Sequence, residues 1–286
     1  MKMREYQERF IYSVGEIIRR NHLFSKPNVR LLDAGCDPSG QQLKRLADFV
    51  SGEVIGINIG DDFPSRGALD SLSTHLHAKL RRMSATELEF PDGYFDYVVS
   101  ANVMEHIDSP SKFICECARV LSDDGIAYIE TYPVWTGPRG HHIMEEMIEN
   151  IAGSNVYRND GDLIPDWSHL VFTPDEMRRC LEPCLDARSV AYIVEYIYRD
   201  ADINRNGWRE IRDQFHQHFE IAEIVTTLEE SPNVDHRPKD DRDDYDVAGF
   251  RALCRKKPDG PKRRVAKIAY EIRRKIRLIW KYKVAS

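Results

Sequence analysis

The chain has 286 residues, of which 42% are hydrophobic and 31% are charged, so its composition is that of an ordinary soluble protein. No apolar run approaches the roughly 18 residues of a membrane-spanning helix, and the start of the chain is too charged for a signal peptide. The six cysteines lack metal-ligand spacing, which favours free thiols in a reducing cytoplasm.

The net charge of −6 is distributed unevenly along the chain. Residues 262–286 contain ten Lys and Arg and one acid, Glu271, whereas the remainder carries 31 basic and 46 acidic side chains. An acidic body is a poor general binder of nucleic acid. The basic end has isoleucines at helical spacing, which predicts an amphipathic helix over residues 262–283.

The segment 29–40, VRLLDAGCDPSG, predicts a strand, a tight turn and the start of a helix. Its apolar run ends at Asp33, and Gly35 follows in the turn. In an open α/β sheet, ligands bind outside the carboxyl ends of the strands. Because glycine lets the backbone approach a ligand closely, we expect a ligand beside Asp33 and Gly35.

Hydrophobic periodicity and turn residues predict the other elements. Helices are expected at 3–22, 40–50, 110–121, 143–152, 173–182 and 207–230. Strands are expected at 54–58, 78–83, 95–100, 126–131, 187–198 and 247–255. Thr173 and Glu176 have the spacing of a capping box, which is typical of a helix start.

Four stretches, in order, resemble the motifs of class I S-adenosylmethionine-dependent methyltransferases, of the methyltransferase type 11-like kind. They are LLDAGC (31–36), VIGIN (54–58), SATELEFPDGYFDYVVSANVMEHI (84–107) and ARVLSDDGIAYIETYP (118–133). The resemblance implies an α/β fold with a Rossmann-like, doubly wound sheet of seven strands, the last one antiparallel. It also implies that S-adenosyl-L-methionine is the cofactor.

The resemblance divides the chain into three parts. Residues 1–28 are expected to form a capping helix, and residues 29–257 a methyltransferase domain with substrate-capping insertions at about 134–172 and 199–244. Residues 258–286 form the basic tail. The tail is explained by docking on the acidic body or on a partner chain, by contact with an anionic membrane surface, or by binding of nucleic acid.

The resemblance also implies a set of cofactor-binding residues. They are Asp33, Ala34, Gly35, Cys36, Asp37, Asn58, Ile59, Ser84, Ala85, Thr86 and Asn102. Three of them depart from the family pattern, because Asp37 stands in place of a glycine, Asn58 in place of the acid that holds the ribose, and Ser84 in place of the Asp that reads the adenine. Asn58 keeps a donor and an acceptor but lacks the charge of a carboxylate.

Four histidines are candidates for a general base, which helps a hydroxyl acceptor to lose its proton. His142 and His141 are favoured, because the glycine-flanked loop 137–140 can bring them over the sheet edge, and His106 follows them. His169 is the fourth candidate and is assigned to the substrate. For each histidine the alternative is a polar residue that only holds a loop.

The insertion after the fifth predicted strand supplies the predicted substrate contacts, which are Trp135, Arg139, Trp167 and His169. The alternatives are that the tryptophans form the insertion's own core and that Arg139 is a solvated loop charge. Glu105 and His106 match a step at which some ubiquinone-type O-methyltransferases hold a divalent cation. Asn102 replaces the upstream acid of that pattern, so no metal site is predicted.

These observations predict methyl transfer to a hydroxyl of a sugar, a glycan or another small molecule. The protein is expected in the cytoplasm, with peripheral contact at the inner face of the membrane if the tail binds lipid. Two alternatives are a non-catalytic scaffold with a weakened cofactor site and a nucleic-acid methyltransferase, which the acidic body disfavours. An oligomer is compatible with the sequence.

Overall fold

The computed structural model describes residues 3–21, 26–60, 78–143, 163–199, 203–229, 231 and 234–257. Its strands are β1 (Leu31–Ala34), β2 (Val54–Asn58), β3 (Lys79–Arg82), β4 (Phe95–Ala101), β5 (Leu121–Thr131), β6 (Phe219–Leu228) and β7 (Val247–Lys256). The described helices are α1 (Met3–Arg20), α2 (Gln41–Ala47), α3 (Pro110–Val120), α4 (Ser168–Val171), α5 (Pro174–Leu181), α6 (Ala187–Tyr198) and α7 (Trp208–His218).

The seven strands form one sheet in the order β3-β2-β1-β4-β5-β7-β6. Strands β1 to β5 are parallel, and β7 is antiparallel to both β5 and β6. From β1 the chain moves outward to β2 and β3 and then returns to β4 on the other side of β1. The carboxyl ends of β1 and β4 therefore form the topological switch point, where such sheets bind ligands.

Helices cover both faces of the sheet. On one face, Phe10 and Val14 of α1 and Leu43 of α2 belong to a buried cluster with Leu31 and Tyr97. On the other face, side chains of α3 and α7 pack with β4, β5 and β7. Burial of a Phe or Leu side chain stabilises a fold by about 1.5–3 kcal/mol, so these clusters hold both helical layers on the sheet.

A third cluster belongs to the segments that follow β5. It joins α5 and α6 to Ile143, Leu163 and Ile164. The capping box predicted at the start of α5 is present, because the Thr173 hydroxyl accepts from the Glu176 backbone N–H and the Glu176 carboxylate accepts from Thr173 N–H.

The predicted α/β sheet of seven strands with an antiparallel last strand is confirmed. The prediction of a strand at 187–198 is wrong, because this segment is α6. The Asp186 carboxylate accepts from the backbone N–H groups of Arg188 and Ser189 and so caps the helix. Val190, Ile193 and Ile197 are buried at helical spacing, three and four residues apart.

The prediction of one helix over 207–230 is correct only in its first half. Helix α7 ends at His218, and β6 follows directly and pairs along its length with β7. Strand β5 begins at Leu121, five residues before the predicted start, with an irregularity in its pairing with β4 between Phe95 and Tyr97.

The helix predicted at 143–152, apart from Ile143, and the tail predicted at 262–283 lie outside the described residues. The chain divides into one compact unit, residues 1–256, and a second unit, residues 257–286, of which only Lys257 is described. None of the helices that the structure describes has the length and apolar character needed to span a bilayer.

Candidate cofactor and acceptor site

The turn after β1 packs against the segment that follows β4. Gly35 has φ +91°, and a Cβ added there would lie 2.2 Å from Val103 Cγ2. The backbone N–H groups of Gly35 and Cys36 donate to Ile57 O of β2 at 2.8 and 3.0 Å. The side chains of Ala34 and Cys36 are fully buried. The predicted cofactor turn therefore lies at the switch point, and only glycine fits its closest approach.

Two acids flank this turn in different environments. Asp33 is fully buried and accepts from Gln42 Nε2 at 3.2 Å through Oδ2. Among the described residues, its Oδ1 has no hydrogen-bond partner. Burial raises the pKa of Asp33 to about 7. Asp37 stands where the family has glycine, and it accepts from the Ser39 hydroxyl and, at 3.0 Å, from Gln42 N–H in the first turn of α2, which begins after the N-cap Gly40.

Asn58 connects the end of β2 to the turn after β1. Its Nδ2 donates to Cys36 O, and its Oδ1 accepts from Gly60 N–H, both at 2.8 Å. One N–H and one lone pair of the amide remain for a ligand. Ile59 is 56% exposed, and Arg82 donates to its carbonyl at 3.0 Å. A fixed amide beside an exposed apolar side chain suits the predicted ribose and adenine contacts, which stay predictions.

The loop after β3 contains the predicted adenine contacts. Met83 N–H donates to Asn58 O at 3.1 Å, so this loop begins beside the end of β2. The hydroxyls of Ser84 and Thr86 are 2.9 Å apart, and Thr86 N–H donates to Ser84 Oγ at 3.2 Å. Ser84, Ala85 and Thr86 are all half-buried. A hydroxyl turn therefore stands where the family pattern has an Asp.

Asn102, the predicted contact of the methionine part, is joined to the N-terminal helix. Its backbone is left-handed, with φ +50°, and its N–H donates to Glu130 O at 3.0 Å. The Tyr6 hydroxyl of α1 donates to Asn102 Oδ1 at 2.9 Å. Tyr6 was not identified from the sequence, because the periodicity of α1 indicates only which of its residues are apolar.

Two further buried carboxylates lie at the ends of β4 and β5. Glu105 is 4% exposed, and its Oε2 accepts from the Thr131 hydroxyl. Glu130 is 2% exposed, and its Oε2 accepts from the Tyr128 hydroxyl at 3.1 Å. In the part of the chain that the structure describes, neither Glu105 Oε1 nor Glu130 Oε1 has a hydrogen-bond partner. Burial raises the pKa of Glu105 to about 8.

His106 and His142 come together although 36 positions separate them in the sequence. Their ring centroids are 4.9 Å apart, and the ligand atoms of Glu105, His106 and His142 all lie within 4.8 Å of one another. His142 is half-buried in a left-handed conformation, with φ +58°. Two imidazoles and a carboxylate are a donor set that suits a divalent transition metal. The sequence predicts no metal, and that remains a prediction.

The neighbouring histidines His141 and His169 are buried and face each other, with ring centroids 5.5 Å apart. His141 Nδ1 accepts from Ile143 N–H at 3.0 Å. His169 Nε2 is 2.8 Å from Trp135 O, to which it donates. Burial lowers the pKa of His169 to about 4 and holds the pKa of His141 well below its ordinary value. These neutral rings hold the insertion loop together, so His142 is the better placed of the two favoured bases.

The predicted substrate residues also divide into buried side chains and more exposed ones. Trp167 is 1% exposed, and its Nε1 donates to Tyr245 O at 2.7 Å, which is the core role that the sequence left open. Trp135 is half-buried, edge-on to His169, with the Arg205 guanidinium 5.3 Å above its ring. The Arg139 side chain is 49% exposed and lies 3.5 Å from Asp166. Substrate contacts by these residues stay predictions.

The seven-stranded α/β sheet with an antiparallel last strand is the fold that the resemblance implies. Residues 32–129 match the family model of a methyltransferase domain. The predicted resemblance to class I S-adenosylmethionine-dependent methyltransferases is confirmed by this match, as is S-adenosylmethionine as the cofactor that it implies.

Three comparisons illustrate this similarity. An uncharacterized methyltransferase of Mycolicibacterium gilvum (strain PYR-GCK) is 32% identical over 123 residues, which cover 42% of this chain and 45% of the relative. A ubiquinone biosynthesis O-methyltransferase of Xanthomonas euvesicatoria pv. vesicatoria (strain 85-10) is 25% identical over 184 residues, which cover 58% of this chain and 76% of the relative. The geranyl diphosphate C-methyltransferase structure from Streptomyces coelicolor A3(2) has 13% identity and a TM-score of 0.49, and the match covers 87% of this chain and 79% of that one. The chain thus spans less than half of the first relative.

Proposed function

We propose that this protein transfers the methyl group of S-adenosylmethionine to a hydroxyl of a sugar, a glycan or another small molecule, with His142 as the general base. The observation that carries the proposal is the meeting of His142 with His106 and Glu105 at the carboxyl edge of the sheet. His142 comes from the insertion after β5, whereas the other two follow β4. The base therefore meets the segment after β4, the same segment that begins with Asn102, the predicted contact of the methionine part of the cofactor.

The chemistry needs alignment and removal of one proton. The acceptor oxygen attacks the methyl carbon in line with the sulfur, and the C–S electron pair stays on sulfur. Because sulfonium is already a good leaving group, the main contribution of the protein is to hold oxygen, carbon and sulfur in line. A hydroxyl is a weak nucleophile until it loses its proton, and an imidazole that titrates near neutral pH is suited to accept it.

A polar acceptor fits the surroundings of His142. Arg139 is half-exposed in the same loop and can pair with an anionic group, and Trp135 offers an aromatic edge for a ring. The Xanthomonas relative is named as an O-methyltransferase, which supports a hydroxyl acceptor. The sugar or glycan identity is our proposal alone.

The test is a methyl-transfer assay with radiolabelled S-adenosylmethionine and a panel of sugars, glycans and phenols. We expect His142→Gln to lower kcat about 10²–10⁴-fold and to leave the Kd of the cofactor unchanged. His216→Gln, on the exposed side of α7, is the matched control and should keep full activity. Unchanged kcat in His142→Gln would remove His142 from the mechanism. Each assay is run with and without EDTA to detect a metal requirement.

We also propose that the basic tail, residues 262–283, attaches the enzyme to an anionic membrane surface, where lipid-linked acceptors are found. The support is the sequence alone, with Lys and Arg on one face and Ile and Trp on the other. The full chain should sediment with phosphatidylglycerol vesicles and not with phosphatidylcholine vesicles. Replacing Arg273, Arg274 and Lys275 together by Gln should reduce sedimentation. Equal sedimentation of that variant would favour docking on protein.

A further inference from the structure

We propose that Arg205 binds an anionic group of the acceptor, a phosphate or a carboxylate, while the hydroxyl of the same molecule lies at the base. This inference rests on the proposed function and narrows its acceptor to anionic molecules. It assigns a role in acceptor specificity to a residue outside the sets of site residues that the sequence predicts.

The backbone around Arg205 is bonded to the segment after β4. Asn204 N–H donates to Glu105 O at 2.8 Å, and Asn204 Nδ2 donates to Met104 O at 2.6 Å and to Glu105 O at 3.1 Å. Asn204 Oδ1 accepts from Asn206 N–H at 3.0 Å, which is the hydrogen bond of an Asx turn. Arg205 is the central residue of this turn, so its backbone has a fixed position beside the segment after β4.

The Arg205 side chain is positioned by two further contacts. Its Nη2 donates to Ile197 O of α6 at 3.0 Å, and its Cζ lies 5.3 Å from the centre of the Trp135 ring. The second contact is a cation–π interaction, which orients the guanidinium over the ring. Arg205 is exposed, so a solute can reach it. Because a guanidinium has five N–H donors, it can keep the bond to Ile197 and hold an anion as well.

Two paths of contacts join Arg205 to the proposed base, His142. The first path runs through Asn204 to the backbone of Glu105, which directly precedes His106. The ring centroids of His106 and His142 are 4.9 Å apart. The segment that carries Arg205 is therefore linked to the base through the residues that follow β4.

The second path runs through the insertion after β5. The Trp135 ring, which lies below Arg205, is edge-on to the ring of His169, with centroids 4.8 Å apart. The His169 and His141 rings are 5.5 Å apart, and His141 directly precedes His142. Arg205 and His142 therefore belong to one closed ring of contacts. An acceptor bound over this ring presents its hydroxyl to His142 and its anionic group to Arg205.

The charges on the two segments of this ring favour an anion. Residues 134–143 and 203–206 contain Arg139 and Arg205 and no Asp or Glu. Asp166 lies 3.5 Å from Arg139, whose side chain is 49% exposed. The chain outside the tail is acidic, with 31 basic and 46 acidic side chains. Two arginines on these segments therefore form a local positive site on an acidic body, which attracts anionic ligands.

The chemistry of the guanidinium indicates which anions suit the site. Its planar fork of N–H groups matches two oxygens of a carboxylate or a phosphate, and such paired hydrogen bonds are stronger than neutral ones. Because the turn at Asn204 and the Trp135 ring already position Arg205, little side-chain freedom is lost when the anion binds. Arg205 acts away from the reacting hydroxyl, so it should contribute to acceptor binding and not to the chemical step.

The test measures the binding of three matched ligands by calorimetric titration of the full chain at constant ionic strength. The ligands are phenyl phosphate, benzoate and phenol, which share a ring and differ in charge. The wild type should bind the better of the two anions about tenfold more tightly than phenol, as for one hydrogen-bonded contact to a charged group. Arg205→Gln should remove this preference, and Arg205→Lys, which lacks the planar fork, should keep part of it. Arg199→Gln, which removes a 74% exposed guanidinium just after α6, should keep it in full.

The outcomes separate this inference from the proposed function. Tighter binding of phenyl phosphate than of benzoate assigns the anionic group as a phosphate, and the reverse order assigns it as a carboxylate. If the wild type binds all three ligands alike, or if Arg205→Gln keeps the preference, recognition of an anion by Arg205 is wrong. A separate titration with S-adenosylhomocysteine tests the methyltransferase function, which fails if that ligand does not bind. Circular dichroism checks that each variant is folded, and the wild-type comparison of the three ligands decides if one is not.

The methyl-transfer assay gives a second measurement with any anionic acceptor that it finds. Arg205→Gln should raise the KM of that acceptor about tenfold and leave kcat and the Kd of S-adenosylmethionine close to the wild-type values. A fall in kcat at unchanged KM would contradict a role in acceptor binding.

Discussion

Asp33 and Glu105 retain their protons to higher pH in the folded protein than in the unfolded chain. Burial raises their pKa values to about 7 and about 8, whereas the unfolded groups titrate near pH 3.9 and 4.3, roughly. Above pH 4 the unfolded chain therefore binds fewer protons than the folded protein. The free energy of unfolding should fall as pH rises from 4 to 8, by at most about 1.4 kcal/mol per pH unit for each group.

Urea unfolding of the cofactor-free protein at pH 5, 6, 7 and 8 measures this slope. Asp33→Asn and Glu105→Gln each remove one titrating group and should flatten the dependence. Glu195→Gln removes an exposed carboxylate and should leave the slope as it is in the wild type. A slope that stays the same in both buried variants would show that these carboxylates ionise normally in the folded protein.

Gly35 allows a second test at the scale of one residue. Ala at this position meets both a left-handed backbone and the Val103 side chain, whereas Ala at Gly93 meets only a left-handed backbone, with its nearest atom 3.8 Å away. Gly93→Ala should lower the free energy of unfolding by about 1 kcal/mol. Gly35→Ala should cost about 2–4 kcal/mol and abolish cofactor binding, because strain and overlap add. If the two variants lose the same free energy of unfolding in urea, the Val103 side chain moves aside at no energetic cost.

The cap of α6 gives a prediction at the scale of one element. Asp186→Ala removes the acceptor for the Arg188 and Ser189 backbone N–H groups. It should lower the free energy of unfolding by about 1 kcal/mol. Asp186→Asn keeps a capping oxygen and should cost much less. Similar losses for Ala and Asn in thermal unfolding would mean that the charge, and not the hydrogen bonds, supports the helix.

The same helix shows why some elements could not be predicted. The segment 187–198 is rich in Val, Ile and Tyr, which favour strands locally, and its helical state depends on Asp186 and on packing against α5. No Gly or Pro marks the boundary between α7, which ends at His218, and β6, which begins at Phe219. The helical pattern of apolar residues was therefore extended across this boundary. By contrast, β2 and β4 were located well, because short apolar runs bounded by turn residues are typical of buried strands.

At the scale of the molecule, the hydrogen bond from Tyr6 to Asn102 joins α1 to the end of β4 across 96 positions of sequence. Tyr6→Phe removes the hydroxyl and leaves the Asn102 amide oxygen without this donor. We expect the Kd of S-adenosylmethionine to rise about three- to tenfold, as for the loss of one net hydrogen bond. Tyr12→Phe, on the same helix and 64% exposed, should leave Kd unchanged. If Tyr6→Phe and the wild type have the same Kd in calorimetry, the role of α1 is only to cover the sheet.

The place of a candidate site residue in the fold could be predicted only where that residue lies at or just after the end of a strand. Asp33, Gly35, Asn58 and Asn102 each come at or just after the carboxyl end of a strand, and strand order then brings them to one edge. The meeting of His142 with His106 depends on the path of an insertion, and the burial of Trp167 depends on the carbonyl of Tyr245. No local pattern carries that information, because these contacts arise from packing between distant segments.

The third hydrophobic cluster has a consequence for the divergence of this protein. The helices α5 and α6 and the segments beside them have a core distinct from the two cores on the sheet. Substitutions in this smaller core can reshape the surroundings of Arg139 and His142 while the donor turn at Gly35 stays intact. Under the proposed function, acceptor choice and donor use can therefore change separately, and an engineer who seeks a new acceptor should randomise the insertion and leave the sheet unchanged.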